Sequence, residues 1–319
     1  MNVSVIIPNY CHARFLNQRI DSVLNQTYSD YEVIILDDCS TDNSREIIES
    51  YRNHPKISHI VYNEKNSGST FIQWEKGFEL ARGEYIWIAE SDDVARSTFL
   101  EECMNAFSSY SDVSIVFSDC LFVDENTRDM HETKLQLTYR LSDKKQDSPY
   151  TYNGRFFIDH RMFYQNYIMN ASMVVFRKNS RHPDKAYMNY RYVGDWLFWV
   201  GILLNGNTVY IDKQLNLFRQ HAGNTTATSF SSGNNYKEMG RLMTDICRIV
   251  QPPTGFKPYL YGYFFVHLRR HFKKMKYNPF IVKEIFDEWA RNENRTFSII
   301  WYRIAKWLCL YKDKRPFRP

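Results

Sequence analysis

Over residues 3–122 short runs rich in β-branched and aromatic residues alternate with stretches of helical periodicity, and this alternation restricts the fold more than any other feature of the chain. Strands are expected at 3–7, 32–36, 57–62, 85–89 and 114–122. Between them Phe15, Ile20, Val23 and Leu24 mark one helix face, and Ile47, Ile48 and Tyr51 mark a second. A third helix is expected over 70–81, with Gly83 breaking the chain before the next strand, and Thr98 with Glu101 reads as a capping box opening a fourth. Strand, helix, strand in regular order predicts an α/β architecture, a mostly parallel sheet flanked by helices.

Past Asp124 the pattern loosens. Residues 124–152 are polar and aperiodic, 170–176 reads as a further buried strand, 195–204 as a helix and 208–217 as a strand. Residues 223–235 have the Gly/Ser/Thr/Asn composition of a flexible connector, and Pro252-Pro253 precedes a basic, aromatic and helical C-terminal extension. The expected division is a catalytic domain over 1–225, with halves 1–125 and 126–225, followed by connector and tail over 226–319.

At 319 residues and 44% hydrophobic content the chain can bury a substantial core. No stretch reaches the roughly 18 to 20 apolar residues of a spanning helix, and the first residues lack the basic and apolar regions of a signal peptide, so the expected location is cytoplasmic. Six cysteines without a paired spacing suit reduced thiols. Charge is segregated: from residue 252 onward 15 Lys and Arg face 5 Asp and Glu, so the remainder of a chain of net charge +5 is acidic.

Open parallel sheets bind ligands beyond the carboxyl ends of their strands. Two acidic groups stand there, Asp37-Asp38 after the second strand and Glu90-Ser91-Asp92-Asp93 after the fourth. A strand-end aspartate alone often serves only an Asx turn. Several carboxylates at one edge repel by about 4 kcal/mol per pair at 4 Å and an effective dielectric near 20. A divalent cation shared with a diphosphate would offset that cost.

The motifs, in order, are Val3 to Tyr10 with Pro8, Ser22 to Tyr28, Glu32 to Ser44, Asn66-Ser67-Gly68, Ala81 to Tyr85 and the acidic run. Together they resemble the family 2 glycosyltransferases of the GT-A, Rossmann-like fold, densely over 1–125 and in patches to about 225. The resemblance implies a nucleotide-sugar donor, a saccharide or lipid-linked acceptor, Mn2+ or Mg2+, inverting transfer by single displacement, and a part in polysaccharide synthesis. By position it implies that Pro8 and Tyr10 pack on the donor base and that Asp38 bonds it. Asp92 falls on the metal ligand, with Glu90 and Asp93 touching ribose or water or supporting the ligand from behind. Glu90 departs from the commoner Asp. Asp195, in Tyr192-Val193-Gly194-Asp195-Trp196, matches the catalytic base, although Gly194 stands where an acid is usual and Asp195 alone would also suit a helix N-cap. Arg219 and His221 match a segment over the donor phosphates, His221 as metal ligand or diphosphate contact. Asn170-Ala171-Ser172 is expected under the acceptor, and Trp196 and Trp199 either stack on sugar or pack the core.

In the tail Phe297, Ile300, Trp301, Ile304, Trp307, Leu308 and Tyr311 recur at helical spacing among basic residues, which suits either a membrane interface or a docking face. Nucleic acid is not expected, since no binding motif accompanies the charge. A nucleotidyltransferase would show a glycine-rich loop where Pro8-Asn9-Tyr10-Cys11-His12 stands, and a dinucleotide oxidoreductase a G-x-G-x-x-G. A nucleotide-sugar-binding protein without turnover is the non-enzymatic alternative.

Overall fold

The structure, a computed structural model, describes residues 2–131, 149–221, 223 and 233–253. The tail expectations, the expected helical extension beyond Pro253 and most of the polar insertion lie outside these residues. Among them the strands are β1 (Val3–Asn9), β2 (Tyr31–Asp37), β3 (Ile57–Tyr62), β4 (Tyr85–Ile88), β5 (Val94–Ala95), β6 (Val113–Val123), β7 (Tyr150–Tyr152), β8 (Val174–Arg177) and β9 (Asn207–Arg219). The helices are α1 (Ala13–Leu24), α2 (Ser44–Ser50), α3 (Thr70–Leu80), α4 (Phe99–Ser109), the short α5 (Gly154–Phe157), α6 (Gly194–Leu203) and α7 (Asn234–Ile249).

The strands form one mixed sheet in the order β3-β2-β1-β4-β8-β6-β9-β5, with β7 on β9. β3, β2, β1 and β4 run parallel, as the alternation requires. The long β6–β9 pair is parallel too, while β8 enters antiparallel between β4 and β6. Strand order reverses at β1, which has β2 on one side and β4 on the other, and this makes a switch point at the β1/β4 carboxyl ends. β1, β2 and β4 are buried along their whole length, which explains their unbroken Val and Ile runs. Gly83 is needed where the chain crosses the start of β1, since a Cβ there would lie 2.7 Å from the Ser4 backbone nitrogen.

Contacts divide the chain into two compact units. One comprises Met1–Arg155, Ile168–Pro183 and Gly201–His221 and holds the sheet; the other comprises Phe156–Tyr167, Asp184–Val200 and the chain from Ala222. Part of the expected connector is ordered helix, because α7 begins at Asn234. Cys11, Cys39, Cys103, Cys120 and Cys247 are not joined in disulfides among the described residues. No helix among the described residues is long and apolar enough to cross a membrane.

Two local expectations change. The Thr98 side chain makes no cap bond, and Glu101 instead accepts from the Thr27 hydroxyl at 2.8 Å, so Glu101 ties the first turn of α4 to the loop after α1 rather than closing a capping box. The stretch expected as a strand at 170–176 begins as a 3-10 turn, Ala171–Met173, because the Asn170 side chain accepts from the Ser172 amide and bends the backbone before β8.

Candidate active site

The ends of three adjacent strands build the site. β1 leads into Pro8, Asn9, Tyr10 and His12; β2 into Asp37-Asp38; β4 into Glu90 to Asp93. The two-residue β5 then pairs with β9, Val94 opposite Leu217, and this register brings Arg219 and His221 back to the acidic loop. Sequence separation of more than 120 residues is closed by one short ladder.

His12, Asp92 and His221 each offer a ligand atom, and those atoms all lie within 4.8 Å of one another. His221 Nε2 sits 3.1 Å from Asp92 Oδ2, and His12 Nδ1 lies 2.8 Å from the Ser91 hydroxyl. Burial would raise the Asp92 carboxyl, but the hydrogen bond from His221 and the fields of His12 and His221 hold it below the ordinary range. An ionised carboxylate with two imidazoles is a donor set that suits a divalent transition-metal ion more than Mg2+, which favours oxygen ligands throughout. His12 was not singled out in the sequence. Its loop carries no glycine, and only the β1/β4 switch point puts it beside Asp92.

Behind Asp92 the other carboxylates behave differently. Burial, reinforced by Asp92, pushes Glu90 up to about 8, and the Trp74 indole donates to its Oε1 at 3.1 Å. Asp93 is buried; burial and then the Asp92 charge raise it, and its oxygens accept from the Arg219 backbone at 2.9 Å and from Asn170 Nδ2 at 2.6 Å. Asp93 thus supports the loop. Its cationic neighbour is Arg19, fully buried on the inner face of α1, which donates to the Glu90 carbonyl at 2.7 Å and to the Ser172 hydroxyl at 3.0 Å. An arginine in the apolar stripe Phe15, Leu16, Ile20, Val23 was the available signal for this role.

Arg219 does not match its expected place over phosphates. The side chain is buried, and the guanidinium donates to the Asp92 carbonyl at 2.7 Å, to Gln18 Oε1 at 2.7 Å, and to Thr127 Oγ1 and the Asp124 and Glu125 carbonyls. It braces the acidic loop against a turn and α1. Asn170 to Ser172 likewise buttresses that loop, with the Ser172 hydroxyl accepting from the Glu90 amide at 3.0 Å.

Asp37 makes an Asx turn, accepting from the Ser40 amide and hydroxyl and from Asn9. Asp38 is also engaged: it accepts from Asn63 Nδ2 at 2.6 Å, the Ser67 amide at 2.9 Å, the Ser67 hydroxyl at 2.7 Å and Gln73 Nε2 at 3.0 Å. It fixes the loop that precedes α3. Tyr10 is 48% exposed beyond the end of β1, an open aromatic face, whereas Pro8 is buried in register with Leu36.

The second unit carries Asp195 in the first turn of α6. Asn166 Nδ2 donates to its Oδ2 at 3.0 Å, and burial pushes its pKa up to about 7, with the Trp196 amide and Asn166 opposing. Because it lies within the helix, Asp195 is not its N-cap. Trp196 and Trp199 are buried, and the Trp196 indole donates to the Met162 carbonyl at 2.8 Å, so both pack the interior of this unit rather than presenting a face to sugar.

Comparison with known proteins adds the lineage. A putative teichuronic acid biosynthesis glycosyltransferase, TuaG of Bacillus subtilis, is 36% identical over 118 residues, 34% of this chain and 46% of TuaG, so the chain spans under half of that relative's length. Residues 1–349 of Staphylococcus aureus TarS, solved with UDP-GlcNAc, superpose with a TM-score of 0.64 at 18% identity, covering 98% of this chain and 93% of that one. The mannosyltransferase PcManGT of Pyrobaculum calidifontis, solved with GDP-Man and Mn2+, gives a TM-score of 0.52 at 14% identity over 98% and 82% of the two chains. These likenesses establish the GT-A fold. The model of glycosyl transferase family 2 matches residues 4–172, more than half of the sequence and all of the acidic loop, and the chain belongs to that family.

Proposed function

We propose that this enzyme transfers a sugar from a nucleoside diphosphate donor to an acceptor hydroxyl with inversion, using Mn2+ held by His12, Asp92 and His221, in the assembly of a bacterial cell-surface polysaccharide. The observation that carries the reading is the convergence of those three side chains at the switch point of the sheet. A divalent ion held there would supply Lewis acidity to the departing diphosphate. Tyr10 offers its exposed ring to the donor base, with Pro8 shaping the strand end beneath it. Asp38 bonds the base through Oδ2, which carries one loop contact, from the Ser67 hydroxyl. Glu90, set behind Asp92, contacts ribose or water.

Asp195 takes the proton of the acceptor hydroxyl. A carboxylate with a pKa near 7 is a stronger base than an ordinary aspartate and is still ionised in a large fraction at neutral pH. Polysaccharide as product class is supported by the names of relatives such as TuaG and TarP. The basic tail is assigned to an anionic membrane surface, where a lipid-linked acceptor resides.

A thermal-shift panel of nucleotide sugars tests the reading. One donor should raise the melting midpoint in Mn2+ by selective binding, and EDTA should remove the shift. Asp92→Ala should abolish it. A donor shift indifferent to EDTA would refute the metal site, and an undiminished Mn2+-dependent shift in Asp92→Ala would move the ion elsewhere.

A further inference from the structure

The residues just before Asp195 have no regular structure, yet one carboxylate gathers their backbone amides. Glu238, on α7, accepts from the Arg191 amide with Oε1 at 2.8 Å and from the Tyr192 and Val193 amides with Oε2 at 2.8 and 3.3 Å. Three consecutive donors aimed at one charged acceptor hold a backbone in a single conformation, and charge-assisted bonds of this kind are stronger than neutral ones. Two further ties flank them. The Tyr190 hydroxyl donates to Asp245 Oδ2, and Arg241 Nη2 donates to the Asn189 carbonyl at 2.9 Å with its guanidinium 4.6 Å from the Tyr190 ring.

Glu238, Arg241 and Asp245 are spaced i, i+3, i+7, so they share one face of α7, while Leu242, Met243 and Ile246 bury the adjoining face. Every amide and carbonyl they meet lies between Asn189 and Val193, immediately upstream of the helix that carries Asp195. Gly194 supplies no side chain of its own to fix this approach.

We propose that α7 is a positioning strap for Asp195, with Glu238 as the positioning residue that sets where the carboxylate of α6 stands relative to the acceptor hydroxyl. The proposal rests on the reading of Asp195 as the base. It gives a catalytic task to a helix that follows the family's matched region by more than sixty residues.

The test uses the full chain with UDP-GlcNAc and Mn2+ as probe, reading donor hydrolysis, UDP affinity and amide hydrogen exchange. Glu238→Ala should speed exchange at 191–193 while leaving the sheet amides unchanged. It should lower kcat by about 10- to 100-fold, the scale of a misplaced catalytic group, with the UDP dissociation constant unchanged. Glu238→Gln, which keeps an acceptor oxygen, should recover part of that loss. Adding Glu238→Ala to Asp195→Asn should cost little more than Asp195→Asn alone, because the two act as one device. Wild-type kcat in Glu238→Ala, or unchanged exchange at 191–193, would overturn the strap. Wild-type turnover in Asp195→Asn would instead remove the base, a separate failure. If Glu238→Ala does not fold, Tyr190→Phe and Arg241→Met each remove one tie and carry the same expectations in smaller degree. Exchange is read whether or not UDP-GlcNAc is turned over.

Discussion

In the proposed reaction the ionisation of Asp195 ties rate and stability to the same proton. With its pKa raised to about 7 by burial, the basic form is lost as pH falls, so kcat should drop about tenfold per unit well below pH 7 and level off above it. Asp195→Asn should lower turnover by roughly 10² to 10⁴ at pH 8 and leave UDP affinity in place. The stability effect has the opposite sense. Between the ordinary carboxylate value near 4 and the raised value, the folded state holds a proton that the unfolded state releases, so this group makes the fold less stable as pH climbs through that window. Asp195→Asn should therefore melt higher than wild type at pH 8 and equal to it at pH 4, measured by calorimetry. A variant no more stable than wild type at pH 8 would place the carboxyl in a more solvated setting. At this scale the sequence reveals residue types better than partners. Asp92, His221 and Asp195 stand out by their match to motif positions, and the structure brings the first two together while Asp195 stands in the first turn of α6. His12 was hidden because its neighbour in space is 80 residues away, and Arg219 was misplaced because a motif position does not say which way a guanidinium points.

Elements explain why Arg219 is occupied. β9 ends there, and the guanidinium joins the acidic loop, the 124–127 turn and α1. Arg219→Ala should leave buried carbonyls without donors and destabilise the protein by about 3 kcal/mol or more in urea titration. Arg219→Lys should recover little, since one ammonium cannot reproduce the fork. Lost donor affinity at full stability would restore a phosphate-contact role. The parallel elements were legible from sequence because a strand buried on both faces must be continuously apolar, as β1, β2 and β4 are. β5 and β7 were not: two or three residues carry no periodicity, and only their long partner β9 makes them strands. Residues 170–176 misled for the complementary reason, an apolar run whose first residue spends its side chain bending its own backbone.

For the whole molecule the segregated charge is the feature with the widest reach. The basic character beyond residue 252 should bind the full chain to phosphatidylglycerol vesicles and not to phosphatidylcholine, with about 1 kcal/mol per basic group near the surface and strong weakening by salt. Sedimentation with vesicles measures it, and equal partition to both lipids would end the electrostatic account. The strap has a further bearing on how such enzymes can be recombined. Residues 189–193 and 238–245 are knotted by reciprocal bonds across 46 to 52 positions, so a chimera that imports one stretch from a relative and keeps the other native would inherit mismatched halves of a clasp. Grafts of acceptor preference in this lineage should travel as a two-piece cassette.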